Sequence, residues 1–199
     1  MINNDLRAIY VEGASYDAYV DSVRANADRF RHIYQRLAFI ESHAGSSIFH
    51  SGMRVLVFCE PYCADCVINL PLIARLVGAS RSAELRVVSR NKHQAVADYF
   101  PGRDGISRLP TVVLLDSQWH LLGYWSERGK ADREWMSNFT QLDPLPEITL
   151  DDGMPVGDFA QWLERRFEGQ LPVFYEQNWK DVREELRALA NSQFPLNPR

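Results

Sequence analysis

Only three of the 199 residues are cysteine: Cys59, Cys63 and Cys66. That is too few for a secreted scaffold held together by disulfides. No apolar run approaches the ~18 residues that a membrane-spanning helix needs. The opening Met1-Ile2-Asn3-Asn4-Asp5 has neither the basic nor the apolar stretch of a secretory leader, so a cytoplasmic location is expected. Positive charge is not in excess: 22 Lys and Arg stand against 26 Asp and Glu, for a net charge of −4. Such a balance gives no general attraction to nucleic acid or to an anionic membrane, and neither is expected as a partner. Lysine is scarce, at Lys92, Lys130 and Lys180 alone, a compositional trait without functional content. There is no glycine-rich phosphate loop and no Gly-x-Ser-x-Gly turn. The histidines (32, 43, 50, 93 and 120) show no ligand spacing among themselves or with the cysteines, so no metal site and no histidine catalysis are assigned. His32 reads as structural and His120 as exposed.

What is present is ordinary for a globular chain. Hydrophobic residues make up 46%, charged residues 24% and aromatic residues 12%, enough apolar surface for a buried core in one embellished domain. Residues 15–44 carry apolar side chains at steps of three and four, which predicts two helices or one long bent one, capped by Ser15 and ended by Gly45. Met53–Cys59 is a continuous apolar run rich in valine, as expected of a strand buried on both faces. A helical pattern with Pro71 inside it, and therefore a kink, leads to Gly78. Strands follow over 85–89, 111–115 and 119–125, the last two as a hairpin along which Trp119, Tyr124 and Trp125 pack, with a short helix over 92–100 before them. A helix over 131–139, a Pro- and Gly-bearing loop over 140–157, and helices over 158–167 and 172–190 complete the chain. The order implies an α/β fold with a mixed sheet. Its parts are an N-terminal helical extension (1–49), a core (50–140), and a C-terminal loop and helices (141–199) in the same compact domain.

Chemistry concentrates at Cys63-Ala64-Asp65-Cys66, where the first strand turns into a helix. Residues three apart share a helix face and lie within disulfide reach. Cys63 falls at the helix N-terminus, whose unpaired N–H groups and dipole favour a thiolate, the species that attacks a disulfide. Cys66, one turn further in, is expected to be more buried and to act as the resolving thiol. A second signal is Leu109-Pro110-Thr111 at the start of the third strand, a position that tolerates a residue with no N–H.

These segments resemble the thioredoxin superfamily: VLVFCEPYCADC at 55–66, LPT at 109–111 and the hairpin VVLLDSQWHLLGYW. From Cys66 to Pro110 is 110 − 66 = 44 residues, similar to thioredoxins. The likeness spans roughly 50–140 and looks closest to bacterial thioredoxin-like proteins with a Cys-x-Asp-Cys site and extra terminal helices. It implies a three-layer fold, a central mixed sheet flanked by helices. It implies thiol–disulfide oxidoreductase activity with no bound cofactor, Cys63 attacking and Cys66 resolving. It implies a cis Leu109–Pro110 bond, with Tyr62, Leu109 and Pro110 meeting an extended substrate. Its partners would be protein or small-molecule disulfides, reduced at the expense of a reductase or a low-molecular-weight thiol. Several positions depart from thioredoxin. Tyr62 replaces the tryptophan before the first cysteine, and Ala64-Asp65 replaces Gly-Pro. Val57 replaces the buried aspartate that helps take the proton from the resolving thiol. Glu60 is near in sequence and is either a substitute for that aspartate or a solvated residue.

Asp65 reads in two ways. A carboxylate in a first helical turn stabilises the helix by ~0.3–1 kcal/mol. The same charge opposes a thiolate at Cys63 and would keep the pair reducing. Cys59 is four residues, or ~13 Å of extended chain, from Cys63, so it is not expected to be its disulfide partner, and it reads as a packing residue or as one with a redox or ligand role. Arg108 reads as a solvated arginine or as a border of the site that favours acidic partners. Two other classes remain open: a non-enzymatic binding module on the same scaffold, and a soft-metal Cys-x-x-Cys site.

Overall fold

The computed structural model describes residues 2–38, 47–80, 82–130, 133–134 and 171–192. The centre of the molecule is built on Arg54–Cys59 (β1). From Val55 to Cys59 every side chain is buried, because β1 is covered on both faces and paired along both edges. Val55, Val57 and Cys59 point into one apolar cluster, and Leu56 and Phe58 into another on the opposite face, as the two-residue period of a strand requires. β1 pairs in parallel with Glu84–Ser89 (β2), with Val57 opposite Val87. On its other edge it runs antiparallel to Thr111–Leu115 (β3), with Val57 opposite Val112. β3 continues into the antiparallel hairpin strand Leu121–Ser126 (β4). The sheet is therefore mixed, in the order β2-β1-β3-β4.

β4 begins two residues later than expected. The Asp116 carboxylate accepts the backbone N–H groups of Gln118 and His120, and Trp119 takes a left-handed φ of 71°. Residues 116–120 are thus held as a turn. His120 is exposed there, beside Asp116.

Three helices precede the sheet: Ile2–Glu12 (α1), Tyr16–Ser22 (α2) and Ala27–Arg36 (α3). The sequence reading did not foresee α1, which buries only Leu6, Ile9 and Tyr10. Ser15 caps α2 by accepting the Ala18 N–H. The break before α3 falls at Asn26, at φ 59° in the left-handed region, whose side-chain amide donates to the Pro61 carbonyl. His32, expected to be structural, is exposed on α3. The link from α1 to α2 covers the outer edge of β2, where Ala14 and Val87 exchange backbone hydrogen bonds of 3.0 and 2.8 Å. Gly13 makes that approach possible, since a Cβ there would stand 2.8 Å from the Arg86 Cβ.

Ala64–Gly78 (α4) connects β1 to β2 and runs through Pro71. From Cys66 to Ala74 every residue of it is buried, as befits a helix that is apolar nearly all round. It packs between the sheet, α3 and the helix Leu171–Ala190 (α6). The expected helix over 92–100 is shorter: a 3-10 turn, Asn91–His93, then Gln94–Ala97 (α5). Tyr99 and Phe100 close tighter bonds to the carbonyls of Val96 and Ala97, so the α-helical pattern stops at Ala97. Gly45, the expected helix over 131–139 apart from 133–134, the loop over 140–157 and the helix over 158–167 lie outside the described residues.

Candidate active site

Strand β1 delivers the chain to the Cys-x-x-Cys segment. After Cys59 the turn Glu60-Pro61-Tyr62 reverses direction, closed by the Cys63 N–H donating to the Glu60 carbonyl at 3.2 Å. Cys63 is the N-cap of α4, with extended backbone angles and its carbonyl accepting the Val67 N–H. It is half-buried, whereas Cys66, a turn further in, is fully buried. All three cysteines are free thiols. Burial pushes the Cys66 thiol well above its ordinary value, and the neighbouring thiols of Cys59 and Cys63 add in the same direction.

The loop before β3 completes the mouth of the site. The Leu109–Pro110 peptide bond is cis, and the Leu109 carbonyl lies 3.8 Å from Cys63 Sγ. The Pro110 carbonyl accepts the Glu127 N–H at 2.8 Å, and Thr111 Oγ1 donates to the Arg108 carbonyl at 2.6 Å, so the loop is fixed at both ends. Tyr62 is 44% exposed beside Cys63, its hydroxyl accepting from Asn91 at 3.2 Å. Half-buried Leu109 thus stands against half-buried Cys63, with Tyr62 exposed next to Cys63 in the chain and with Pro110 and Cys66 buried.

Asp65 is not an isolated charge. Arg128, on the loop after β4, grips its carboxylate with two hydrogen bonds of 2.9 and 2.7 Å. This forked pairing is a geometry that arginine favours. Arg128 also binds Glu127, and Arg108 pairs with Asp104 and lies 4.0 Å from Glu127. Burial still pushes the Asp65 carboxyl up to about 6, because Arg128 recovers only part of the lost hydration and Glu127 opposes it. The field of Asp65 at Cys63 is therefore offset by a cation held on the same carboxylate. Ala64, half-buried between Cys63 and Asp65, adds no polar group.

Glu60 is not a solvated residue. It is 6% exposed, and its Oε1 accepts the Ser89 hydroxyl at 2.7 Å and the Asn91 N–H at 2.9 Å. The carboxylate ties the end of β2 to the turn before Cys63. Cys59 is fully buried on the same sheet face as Val57, and its sulfur accepts a 3.4 Å hydrogen bond from the Tyr19 hydroxyl of α2. Burial raises the Tyr19 hydroxyl far above its ordinary value, as do the neighbouring Cys59 and Cys66, so it stays a protonated donor. Sequence reasoning missed both Arg128 and Tyr19 as neighbours of the site. They stand 63 residues from Asp65 and 40 from Cys59, respectively. The apolar stripe of 15–44 marked Tyr19 as buried, but nothing local marked Arg128. Among the described residues, no group of three or more His, Cys, Asp or Glu is arranged to hold a metal ion, and no helix is long and apolar enough to cross a membrane.

A mixed four-stranded sheet flanked by helices, with a Cys-x-x-Cys helix start facing a cis-proline loop, defines a thioredoxin-like protein. A family model described as thioredoxin matches residues 13–142, more than half of the chain, and the chain belongs to that family. No curated protein matches it. Among solved structures, the crystal structure of an HIV epitope-scaffold is similar, with a TM-score of 0.55 at 18% identity, over 92% of this chain and 95% of that one. The structure of a protein of unknown function from Pseudomonas aeruginosa has a TM-score of 0.49 at 21% identity, over 79% of this chain and 96% of its own. At these identities the first likeness speaks to the fold alone.

Proposed function

We propose that the protein is a thiol–disulfide oxidoreductase that reduces disulfides of protein or small-molecule partners in the cytoplasm. The observation that carries this reading is the pairing of a half-exposed Cys63 at a helix N-terminus with a buried Cys66 one turn behind it. A thiolate at Cys63 attacks one sulfur of a substrate disulfide, forms a mixed disulfide and expels the first substrate thiolate. Cys66 then attacks the Cys63 sulfur, expels the second substrate thiolate and leaves a Cys63–Cys66 disulfide. Two electrons have passed to the substrate, and a reductase or a low-molecular-weight thiol returns them. Cys63 stands at the helix N-terminus, where it meets the substrate first. Burial of Cys66 keeps it from competing for substrate. An extended substrate segment would lie by Tyr62 and Leu109, over the buried Pro110, with the Leu109 backbone as its hydrogen-bonding partner.

The test is a redox titration of the purified protein in dithiothreitol buffers, read by thiol trapping and mass. One two-electron transition between about −200 and −300 mV is expected, the range spanned by glutaredoxin-like and thioredoxin-like couples. A Cys63→Ser variant should lose it. If the native protein forms no disulfide between Cys63 and Cys66, the proposal fails.

A further inference from the structure

Tyr62 precedes the attacking Cys63 in the chain and is 44% exposed. A side chain so open to solvent ordinarily changes rotamer freely, and a partner that binds against it must first order it, at a cost in affinity. Here the ring is tethered before any partner arrives. Its hydroxyl accepts from the Asn91 side-chain amide at 3.2 Å.

Asn91 offers that amide from a fixed backbone. Its N–H donates at 2.9 Å to Oε1 of the buried Glu60, which also accepts the Ser89 hydroxyl at 2.7 Å. Asn91 opens the 3-10 turn Asn91–His93, which the His93 N–H closes on the Arg90 carbonyl. The turn that carries Tyr62 is pinned by other groups. The Asn26 amide donates to the Pro61 carbonyl at 2.8 Å, and the Cys63 N–H donates to the Glu60 carbonyl at 3.2 Å. Glu60 thus serves both ends of the tether: its main chain holds Cys63 and its side chain holds Asn91. Loss of the Asn91 amide alone would free the ring and leave the backbone of Tyr62 and Cys63 in place.

We propose that Asn91 is a positioning residue that holds the Tyr62 ring as a preformed aromatic wall beside Cys63, so that polypeptide disulfides react in preference to small ones. The inference rests on the oxidoreductase reading above. A fixed tyrosine offers a large amphipathic face at little further cost in entropy. A polypeptide has residues on either side of its cysteine that can lie on that face, whereas bis(2-hydroxyethyl) disulfide has almost nothing beyond its sulfurs. The covalent step is the same for both. The Cys63 and Cys66 thiols give two electrons and two protons to the substrate disulfide, which becomes two thiols, and a Cys63–Cys66 disulfide remains. Asn91 and Tyr62 form no bond to sulfur at any stage.

The experiment mixes the reduced protein with excess insulin or with bis(2-hydroxyethyl) disulfide and follows formation of the Cys63–Cys66 disulfide by acid quench, thiol trapping and mass. Each reaction yields a second-order rate constant. Asn91→Ala should lower the insulin constant about three- to tenfold, the factor for ordering one freed side chain. It should leave the constant for the small disulfide unmoved, which also shows that the variant is folded and that Cys63 is in place. Tyr62→Phe, which removes the other end of the tether, should lower the insulin constant by a similar factor. Adding Asn91→Ala to Tyr62→Phe should lower it no further, because the two changes break one bond. An Asn91→Ala variant that slows both reactions alike, slows neither, or still slows insulin in the Tyr62→Phe background overturns the tether and leaves the oxidoreductase reading intact. So does a native protein that reduces the small disulfide but not insulin. If the native protein reduces neither, that reading falls and this inference falls with it.

Discussion

Asp65 shows how burial and pairing compete at a single residue. Its carboxylate has two good hydrogen bonds to Arg128, yet its pKa stands near 6, above the ordinary 3.8, because the lost hydration outweighs the pairing. A carboxyl whose folded-state pKa is raised binds a proton in the native state while the unfolded chain has already released it. Its contribution to stability is therefore fully present below about pH 4 and is lost as pH rises to about 6. Asp65→Asn removes this titration while keeping an oxygen acceptor for Arg128. Relative to that variant, the native protein should lose on the order of 2–3 kcal/mol of stability between about pH 4 and pH 7. Urea unfolding of both proteins across this range is the check, and parallel stability profiles would contradict the account. The same pairing bears on the redox reading of Asp65. A carboxylate that shares its charge with Arg128 opposes a Cys63 thiolate less than a free one does.

At the scale of elements, the candidate site is held by contacts among pieces far apart in the chain. Asn178 of α6 accepts the Gly129 N–H at 3.0 Å and donates to Asn69 of α4 at 2.8 Å, and Asn69 in turn donates to the Glu127 carbonyl at 3.1 Å. Both asparagines are completely buried. A single polar chain thus fixes α6, α4 and the loop that carries Arg128. Gly129 allows the close approach, since a Cβ there would stand 2.8 Å from the Asp181 Cβ. Asn178→Ala leaves the Gly129 N–H and the Asn69 Oδ1 without these partners. At about 1–3 kcal/mol per stranded buried group, the two together should cost roughly 2–6 kcal/mol in urea unfolding. A loss below about 1 kcal/mol would mean that water or a rearranged side chain replaces the asparagine. Contacts of this kind also mark where sequence reading stops. β1 and β3 were legible because their unbroken apolar runs reflect burial on both faces. Cys63 and Cys66 were legible because their spacing and their place after a strand are local facts. The short α1 was not, because three buried residues in eleven leave a faint stripe. Neither the fork from Arg128 to Asp65 nor the bond from Tyr19 to Cys59 has a local sequence signature. Both exist only once the sheet brings distant segments together.

For the whole molecule, the sheet divides the described interior into two apolar regions with different tasks. One lies on the face of Val55, Val57 and Cys59 and includes Cys66, Leu70, Trp179 and Leu186. The other lies on the face of Leu56 and Phe58 and includes Leu6, Tyr10 and Phe100. All three cysteines pack with the first region, and α1 packs into the second. Leu109, next to the cis bond, touches both. Stability and redox chemistry should therefore separate under mutation. Leu6 is fully buried at the α1 interface, and truncating such a leucine costs about 2–5 kcal/mol through lost burial and the cavity left behind. Leu6→Ala should lower the unfolding free energy by that amount. It should leave the midpoint of the Cys63–Cys66 titration unmoved, because the cavity opens on the face of the sheet that no cysteine occupies. Cys59→Ala should do the opposite in kind: its smaller volume loss sits against Tyr19, on the face that the cysteines share, so the thiol chemistry responds more than the fold. Urea unfolding and redox titration of the two variants side by side check the separation. A Leu6→Ala variant whose redox midpoint moves with its stability would show that the two faces of the sheet act as one unit.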